Sequence, residues 1–181
     1  MGAHTYIGGL EERLPEIRRE IPDSVDFFIS SAENIAMHLT EADLVIGAVL
    51  IPGAKAPRMI TEEMVKGMPR GSVIVDVSID QGGCIETSRP TSHSAPVFEK
   101  HGVIHYCVTN MPGAYPRTST LALNSATLPY VLRLADEGLS ALRGDAGFAK
   151  ALNTCQGYIT CRPVAEALGL EDRYRPLKLK K

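Results

Sequence analysis

The sequence has little of what marks a metal protein, a membrane protein or a nucleic-acid-binding protein. Only four cysteines occur in 181 residues, and none stands at the Cys-x-x-Cys spacing of a zinc site. We therefore expect four reduced thiols. No apolar run approaches the ~20 residues of a membrane span. The formal net charge of -2 gives no electrostatic reason to bind nucleic acid.

Several catalytic and targeting motifs are also missing. There is no Gly-x-Ser-x-Gly elbow and no phosphate-binding Gly-x-x-x-x-Gly-Lys loop. The five histidines lack metal-ligand spacing, so no metal is expected, and His105 in an apolar run is interpreted as a core residue. No signal peptide precedes the cysteines, which favours a cytoplasmic location. A basic tail, interpreted as solvated, comprises Arg173, Arg175, Lys178, Lys180 and Lys181.

Strands and helices are predicted to alternate through the first 116 residues. Strands are predicted at 3–7, 25–29, 43–50, 72–77 and 103–108, and helices at 11–20, 32–39 and 62–66. The last three strands are nearly continuous apolar runs, which suit parallel strands buried on both faces. The pattern predicts an α/β fold with a doubly wound, mostly parallel, Rossmann-like sheet.

The pattern changes at Pro116, where the alternation gives way to helices. Helices are predicted at 121–137, 146–152 and 163–168, the last with Pro163 in its first turn. We therefore predict two parts, residues 1–116 and residues 117–181.

Three loops of unusual composition follow the apolar strands, at 51–57, 78–84 and 109–114. Ligands of open parallel sheets bind beyond the carboxyl ends of the strands, which favours a shared cleft over simple turns. Asp80 follows a buried strand and precedes Gly82 and Gly83, which would let a ligand approach the backbone closely. Its carboxylate suits proton transfer, although a turn-forming aspartate is an equal alternative.

Taken together, these stretches resemble the alanine dehydrogenase/pyridine nucleotide transhydrogenase family, in its C-terminal half. The matching sequence includes Ala42–Pro57, Gly71–Val77, Ile79–Glu86 and Ser88–Thr91, followed by His105–Gly113 and Pro116–Thr120. The Arg-Pro-Thr and Asn-Met-Pro patterns are more similar to the dehydrogenase than to the transhydrogenase subunit. The resemblance covers nearly the whole chain.

The resemblance implies a partial NAD-binding Rossmann domain at 1–116 and a helical C-terminal part of the substrate domain at 117–181. It implies that L-alanine, NAD and water are converted to pyruvate, ammonia and NADH. Asp80 matches the family's catalytic carboxylate. The residues implied to contact the adenosine side of NAD are Arg13 and Ser30. Those implied to line its nicotinamide and ribose are Val49, Leu50, Val77, Asn110, Met111 and Pro112.

The sequence departs from the family at three points. The substrate domain, with its histidine, lysine and arginine, does not precede Met1, and the Gly-x-Gly-x-x-Gly turn that seats the pyrophosphate is absent. The acid that holds the adenosine ribose is replaced by Gly8 or Gly9. A reading frame that restarts inside the Rossmann domain would explain all three, so we expect weak NAD binding by the chain alone.

Three interpretations remain open. The chain is an enzyme fragment that is inactive alone, or the C-terminal chain of a split active enzyme, or a non-catalytic interaction or regulatory module that kept the fold. The expected partners are a small-molecule substrate (L-alanine or pyruvate) and either copies of the same chain or a chain carrying the N-terminal half. No partner is expected among nucleic acids or membranes.

Overall fold

The computed structural model describes residues 2–177, so Lys178, Lys180 and Lys181 of the basic tail lie outside the described residues. These residues form two compact units, one of residues 2–49 and 57–109, the other of residues 50–56 and 110–177.

The first unit alternates strands and helices. In chain order its elements are β1 (Thr5–Gly9), α1 (Leu14–Glu20), β2 (Val25–Ile29), α2 (Ala32–Leu39), β3 (Leu44–Gly47), α3 (Glu62–Lys66), β4 (Val73–Asp76), β5 (Val97–Lys100) and β6 (Val103–Tyr106). A 3-10 turn at Glu11–Arg13 leads into α1, and another at Val77–Gln81 follows β4. The alternation confirms the α/β class predicted from the sequence.

The strands of this unit form two sheets. Strand β1 pairs only with β2, in parallel, and the second sheet has the order β3-β4-β6-β5 within the described residues. Strands β3, β4 and β6 are parallel, as predicted, whereas β5 is antiparallel to β6. Strand β5 was not predicted, because its four residues contain only two apolar side chains and follow a proline.

Helices α2 and α3 begin where side chains cap them. Ser31 accepts a hydrogen bond from the Asn34 N–H at the start of α2, and Thr61 accepts one from the Met64 N–H at the start of α3. Both helices therefore have the bounds that the sequence predicts. Their inward side chains Leu39 and Val65 are buried.

The four-stranded sheet is buried on one face only. Ile74 and His105 are fully buried on that face, where the registers pair them with each other and with Val45. On the opposite face Leu44 and Ile46 are 56% and 62% exposed. The prediction that β3 is buried on both faces is therefore wrong, because the described residues of the first unit form no layer over this second face.

The second unit is mainly helical, as predicted. Its elements are α4 (Pro116–Glu137), α5 (Ala146–Ala149), β7 (Thr154–Cys155), β8 (Tyr158–Ile159) and α6 (Arg162–Leu168). Helix α4 begins five residues earlier than predicted, with Pro116 in its first turn, and continues through Pro129. The small core of the unit comprises Ala141, Leu142, Ile159 and Ala165.

Candidate functional site

The candidate site of the first unit lies at the carboxyl end of β4. Because β3, β4 and β6 are parallel, their carboxyl ends meet at one edge of the sheet, which is where ligands of such sheets bind. The chain leaves β4 through the 3-10 turn Val77–Gln81, and Gly82 then adopts a left-handed φ of 95°. This turn carries Val77 and Asp80.

Asp76 organises the turn. It is fully buried and accepts hydrogen bonds from the Ser78 N–H at 3.1 Å and the Cys84 N–H at 3.1 Å. Its carboxyl group therefore ties the two ends of the loop together. The sequence pattern places Asp76 within the predicted strand at 72–77 and does not indicate this role, although an acid near the end of an apolar run was the available signal.

Gly83 makes this arrangement possible. It has a φ of 78°, and a Cβ atom there would lie 2.7 Å from the Oδ2 atom of Asp76. Gly83 thus allows the backbone to approach the chain's own carboxylate. The expectation that Gly83 lets a ligand approach the backbone is corrected, because the group that approaches it is Asp76. An added Cβ at Gly82, by contrast, would meet open space.

Val49, Val77 and Asp80 belong to one local arrangement. The Val49 carbonyl accepts a hydrogen bond from the Ser78 hydroxyl at 2.8 Å, which fixes the end of the β3 segment against the turn. Val49 is half-buried, whereas Val77 and Asp80 are exposed at the surface of the unit. The turn therefore presents an apolar side chain and a carboxylate within four residues of each other.

The remaining residues of the predicted nicotinamide site belong to the second unit. Leu50 is exposed at the start of its segment 50–56. Asn110 adopts a left-handed φ of 53° and its carbonyl accepts a hydrogen bond from the Gly113 N–H at 2.8 Å. This bond closes a turn in which Met111 is half-buried and Pro112 exposed.

Arg13 and Ser30 follow the carboxyl ends of β1 and β2. These strands are parallel neighbours, so both residues lie at the same end of the two-stranded sheet. Arg13 is exposed and its Nε atom lies 2.9 Å from a carboxylate oxygen of Glu16. Ser30 is half-buried and its N–H donates to the Gly9 carbonyl at 2.9 Å.

The two glycines of β1 leave no room for an acidic side chain. A Cβ at Gly8 would lie 2.7 Å from the Phe28 ring, and one at Gly9 would lie 2.9 Å from the Phe27 ring. Contacts below 3.0 Å require a neighbouring group to move. The carboxylate that the resemblance places here therefore has no equivalent at either position.

The buried thiols and His105 are not available for catalysis in this unit. Burial raises the pKa of Cys84 and of Cys107, and the nearby Asp76 carboxylate raises both further, so neither is a ready nucleophile. His105 is enclosed between the Thr87 hydroxyl at 2.7 Å and the Val103 carbonyl at 3.0 Å, and burial lowers its pKa. All four cysteines are free thiols, as predicted.

The described part of the chain has neither a metal-binding cluster nor a membrane-spanning helix. Residues 2–177 contain no group of three or more His, Cys, Asp or Glu side chains arranged to hold a metal ion. None of the helices in this range is both long enough and apolar enough to cross a membrane.

Comparison with known proteins identifies close relatives. Alanine dehydrogenase 2 of Staphylococcus aureus (strain USA300) is 51% identical over 162 residues, which are 88% of this chain and 44% of that protein. Among solved structures, an L-alanine dehydrogenase is 46% identical with a TM-score of 0.78 over 93% of this chain and 47% of its own. A transhydrogenase from Sinorhizobium meliloti is 31% identical with a TM-score of 0.57 over 66% of this chain and 34% of its own.

The chain thus spans less than half the length of the relatives that it matches. A family model described as alanine dehydrogenase/PNT, C-terminal domain, matches residues 1–162. These 162 of 181 residues include both compact units apart from the last helix and the tail. The chain therefore belongs to the alanine dehydrogenase/PNT family, as a C-terminal domain.

Proposed function

We propose that this chain supplies the nicotinamide-side half of an NAD-dependent L-alanine dehydrogenase, which converts L-alanine, NAD and water to pyruvate, ammonia and NADH. The observation that carries the proposal is the turn after β4. It presents Val77 and Asp80 beyond the carboxyl end of a parallel strand, in a chain 51% identical to an alanine dehydrogenase. We assign residues 1–116 to a partial NAD-binding domain and residues 117–181 to the helical part of the substrate domain.

The residues present fit one end of NAD better than the other. The apolar side chains of Val49 and Val77 in the first unit suit the face of a nicotinamide ring, and the resemblance is our reason for assigning Leu50 to the same ligand. The pyrophosphate has no matching seat, because no Gly-x-Gly-x-x-Gly turn occurs and the Ser31 side chain already caps the N-terminus of α2. Arg13 and Ser30 are the residues that we assign to the adenosine side, and the loop Asn110–Pro112 to the nicotinamide ribose.

Asp80 is the candidate catalytic residue of this half. Bound NAD would accept the hydride that leaves the Cα atom of alanine. Oxidation of the amine gives an imine, and water must then add to the imine carbon and lose a proton before ammonia leaves. An exposed carboxylate oxygen of Asp80 can take or return that proton, and its negative charge stabilises the cationic imine.

We further propose that the chain is inactive alone. Hydride transfer needs the substrate carbon to be held against the nicotinamide, and the chain lacks the substrate-binding histidine, lysine and arginine that the resemblance places in the other half. The expected result is therefore no alanine-dependent NADH formation by the isolated chain. Mixing it with the part of the Staphylococcus aureus relative that precedes the matched region is expected to restore turnover.

Asp80→Asn in this mixture tests the assignment. The substitution nearly preserves size and removes the charge and the basic oxygen, so we expect turnover to fall by about 10²-fold or more. Asp23→Asn, at an exposed turn between α1 and β2, is the matched control and should leave turnover unchanged. NADH absorbance measures both rates. Turnover that is indifferent to Asp80→Asn would make Asp80 a turn residue and refute its role.

A further inference from the structure

The turn that begins at Asn110, in the second unit, is held by hydrogen bonds rather than by burial. Asn110 has a φ of 53° and a ψ of 52°, in the left-handed region that residues other than glycine seldom occupy. The Gly113 N–H donates to the Asn110 carbonyl at 2.8 Å, and the Tyr115 N–H donates to the Pro112 carbonyl at 3.0 Å. Met111 is half-buried, whereas the four residues after it are exposed. Apolar packing therefore does little to keep this turn in its shape.

Ser119, near the start of α4, adds a side-chain bond to this turn. Its hydroxyl donates to the Pro112 carbonyl at 2.9 Å, and the same oxygen accepts the Tyr115 N–H. A proline has no N–H, so the carbonyl is the one backbone group through which Pro112 can be hydrogen-bonded. The Ser119 N–H donates to the Tyr115 carbonyl at 3.0 Å. Ser119 therefore joins the turn to the helix at two points.

The burial pattern of α4 also singles out Ser119. Among the 22 residues of this helix, Ser119 and Arg133 are half-buried and all the others are exposed. Arg133 forms an ion pair with Asp145, which lies beyond the end of α4. Ser119 bonds to Pro112, which lies before its start. The two covered residues of α4 are thus the two that connect it to other segments of its unit.

The other hydrogen-bonded hydroxyls of α4 make a different kind of bond. Ser125 donates to the Leu121 carbonyl at 2.8 Å, and Thr127 donates to the Leu123 carbonyl at 2.8 Å. In each case the acceptor is four residues earlier in the same helix, which is ordinary back-bonding and fixes nothing outside the helix. The acceptor of Ser119 lies seven residues earlier and outside α4. Its hydroxyl therefore acts on the turn and not on the helix.

We propose that Ser119 is a positioning residue for the nicotinamide ribose, because its hydroxyl holds the turn from Asn110 to Ala114 in the shape that binds this ligand. The inference rests on the proposed function, which assigns Asn110–Pro112 to that ribose. Ribose hydroxyls are recognised through directional hydrogen bonds, and a loop whose shape is fixed before binding avoids the cost of being ordered by the ligand. Loss of the Ser119 hydroxyl leaves the Pro112 carbonyl with one donor instead of two, and the turn then samples other shapes.

A purely structural role for Ser119 predicts something different. If its hydroxyl only stabilised the fold, its loss would affect all ligands alike, including those bound elsewhere on the chain. The residues that we assign to the adenosine side of NAD, Arg13 and Ser30, belong to the first unit. AMP therefore serves as the reference ligand, and nicotinamide mononucleotide as the ligand of the turn.

The experiment titrates the full chain with each of these two ligands and follows binding by NMR of the ligand. Ser119→Ala is expected to weaken binding of nicotinamide mononucleotide by about five- to tenfold, which is the effect of losing one hydrogen bond between uncharged groups, and to leave AMP binding unchanged. Ser119→Thr keeps the hydroxyl and should bind like the parent chain. Ser125→Ala is the matched control, because it removes a serine hydroxyl from the same helix with a bond of similar length. It should bind both ligands like the parent.

Amide hydrogen exchange of the same variants locates the change. In Ser119→Ala we expect faster exchange at Gly113 and Tyr115, whose N–H groups close the turn, and unchanged exchange in the rest of α4. Ser125→Ala should leave both of these amides as they are in the parent chain. Faster exchange along the whole of α4 in Ser119→Ala would show that the hydroxyl supports the helix, and it would overturn the inference.

The ligand titrations can overturn the inference in three ways. These are no binding of nicotinamide mononucleotide by the parent chain at millimolar concentration, equal weakening by Ser119→Ala and Ser125→Ala, and a parallel loss of AMP binding. Failure of the proposed function has a different signature in the mixture with the Staphylococcus aureus segment. Mononucleotide binding that depends on Ser119, without turnover, supports the inference and counts against the dehydrogenase. Turnover with a KM for NAD that Ser119→Ala does not change supports the dehydrogenase and overturns the inference.

Discussion

The loop after β4 depends on a glycine whose replacement should be costly. Gly83 has a φ of 78°, a conformation that costs an alanine about 1–2 kcal/mol. An added Cβ would also lie 2.7 Å from Asp76 Oδ2 and 3.3 Å from the Arg58 guanidinium. Moving Asp76 away would weaken the hydrogen bonds that it accepts from the Ser78 and Cys84 N–H groups, each worth about 1.5–3 kcal/mol.

Gly83→Ala is therefore expected to lower the free energy of unfolding by about 3–5 kcal/mol. Gly82→Ala is the matched control. Its φ of 95° carries a similar conformational cost, but its Cβ would meet open space, so we expect a loss of only about 1–2 kcal/mol. Urea unfolding monitored by circular dichroism measures both values. Equal losses in the two variants would refute the packing of Gly83 on Asp76.

Two further predictions concern the stability of the same unit. Ser31→Ala removes the side-chain oxygen that accepts the Asn34 N–H at the start of α2, and it should lower the free energy of unfolding by about 1 kcal/mol, measured in urea. The control is Ser94→Ala, which removes an exposed loop hydroxyl and should cost much less. Burial lowers the pKa of His105, so the unfolded chain takes up a proton at higher pH than the folded chain does. Stability should therefore be fully present above the ordinary histidine pKa of about 6.5 and decline as the pH falls below it. Unfolding of His105→Gln at pH 7 and pH 5 checks this, since a pH dependence unchanged from that of the parent chain would exclude His105 as its source.

The elements that the sequence predicts best are those whose signals are local. Ser31 and Thr61 mark the starts of α2 and α3 because a capping side chain acts on an N–H three residues away. The apolar runs around Val45, Ile74 and Ile104 likewise predict strands, since each strand needs such a run to form its own part of the sheet. The free thiols were predicted from the spacing of the cysteines, and the parallel pairing of three strands from the alternation of apolar strands with helices.

The exposed face of β3 illustrates what a sequence pattern cannot report. Leu44 and Ile46 have the composition of a strand that is buried on both faces, and composition reflects the environment for which a residue is suited. Whether a layer of the same chain covers that residue depends on elements elsewhere. The prediction was wrong for this reason, and the apolar composition of the face is itself an argument that something covers it.

The role of Asp76 was missed for a related reason. Its contacts are to the N–H groups of Ser78 and Cys84, and the second of these is eight residues away around a loop whose path the sequence does not reveal. Asp80, four residues later, attracted attention through its neighbouring glycines. Of the two acids, one is buried and holds the loop, and the other is exposed on it.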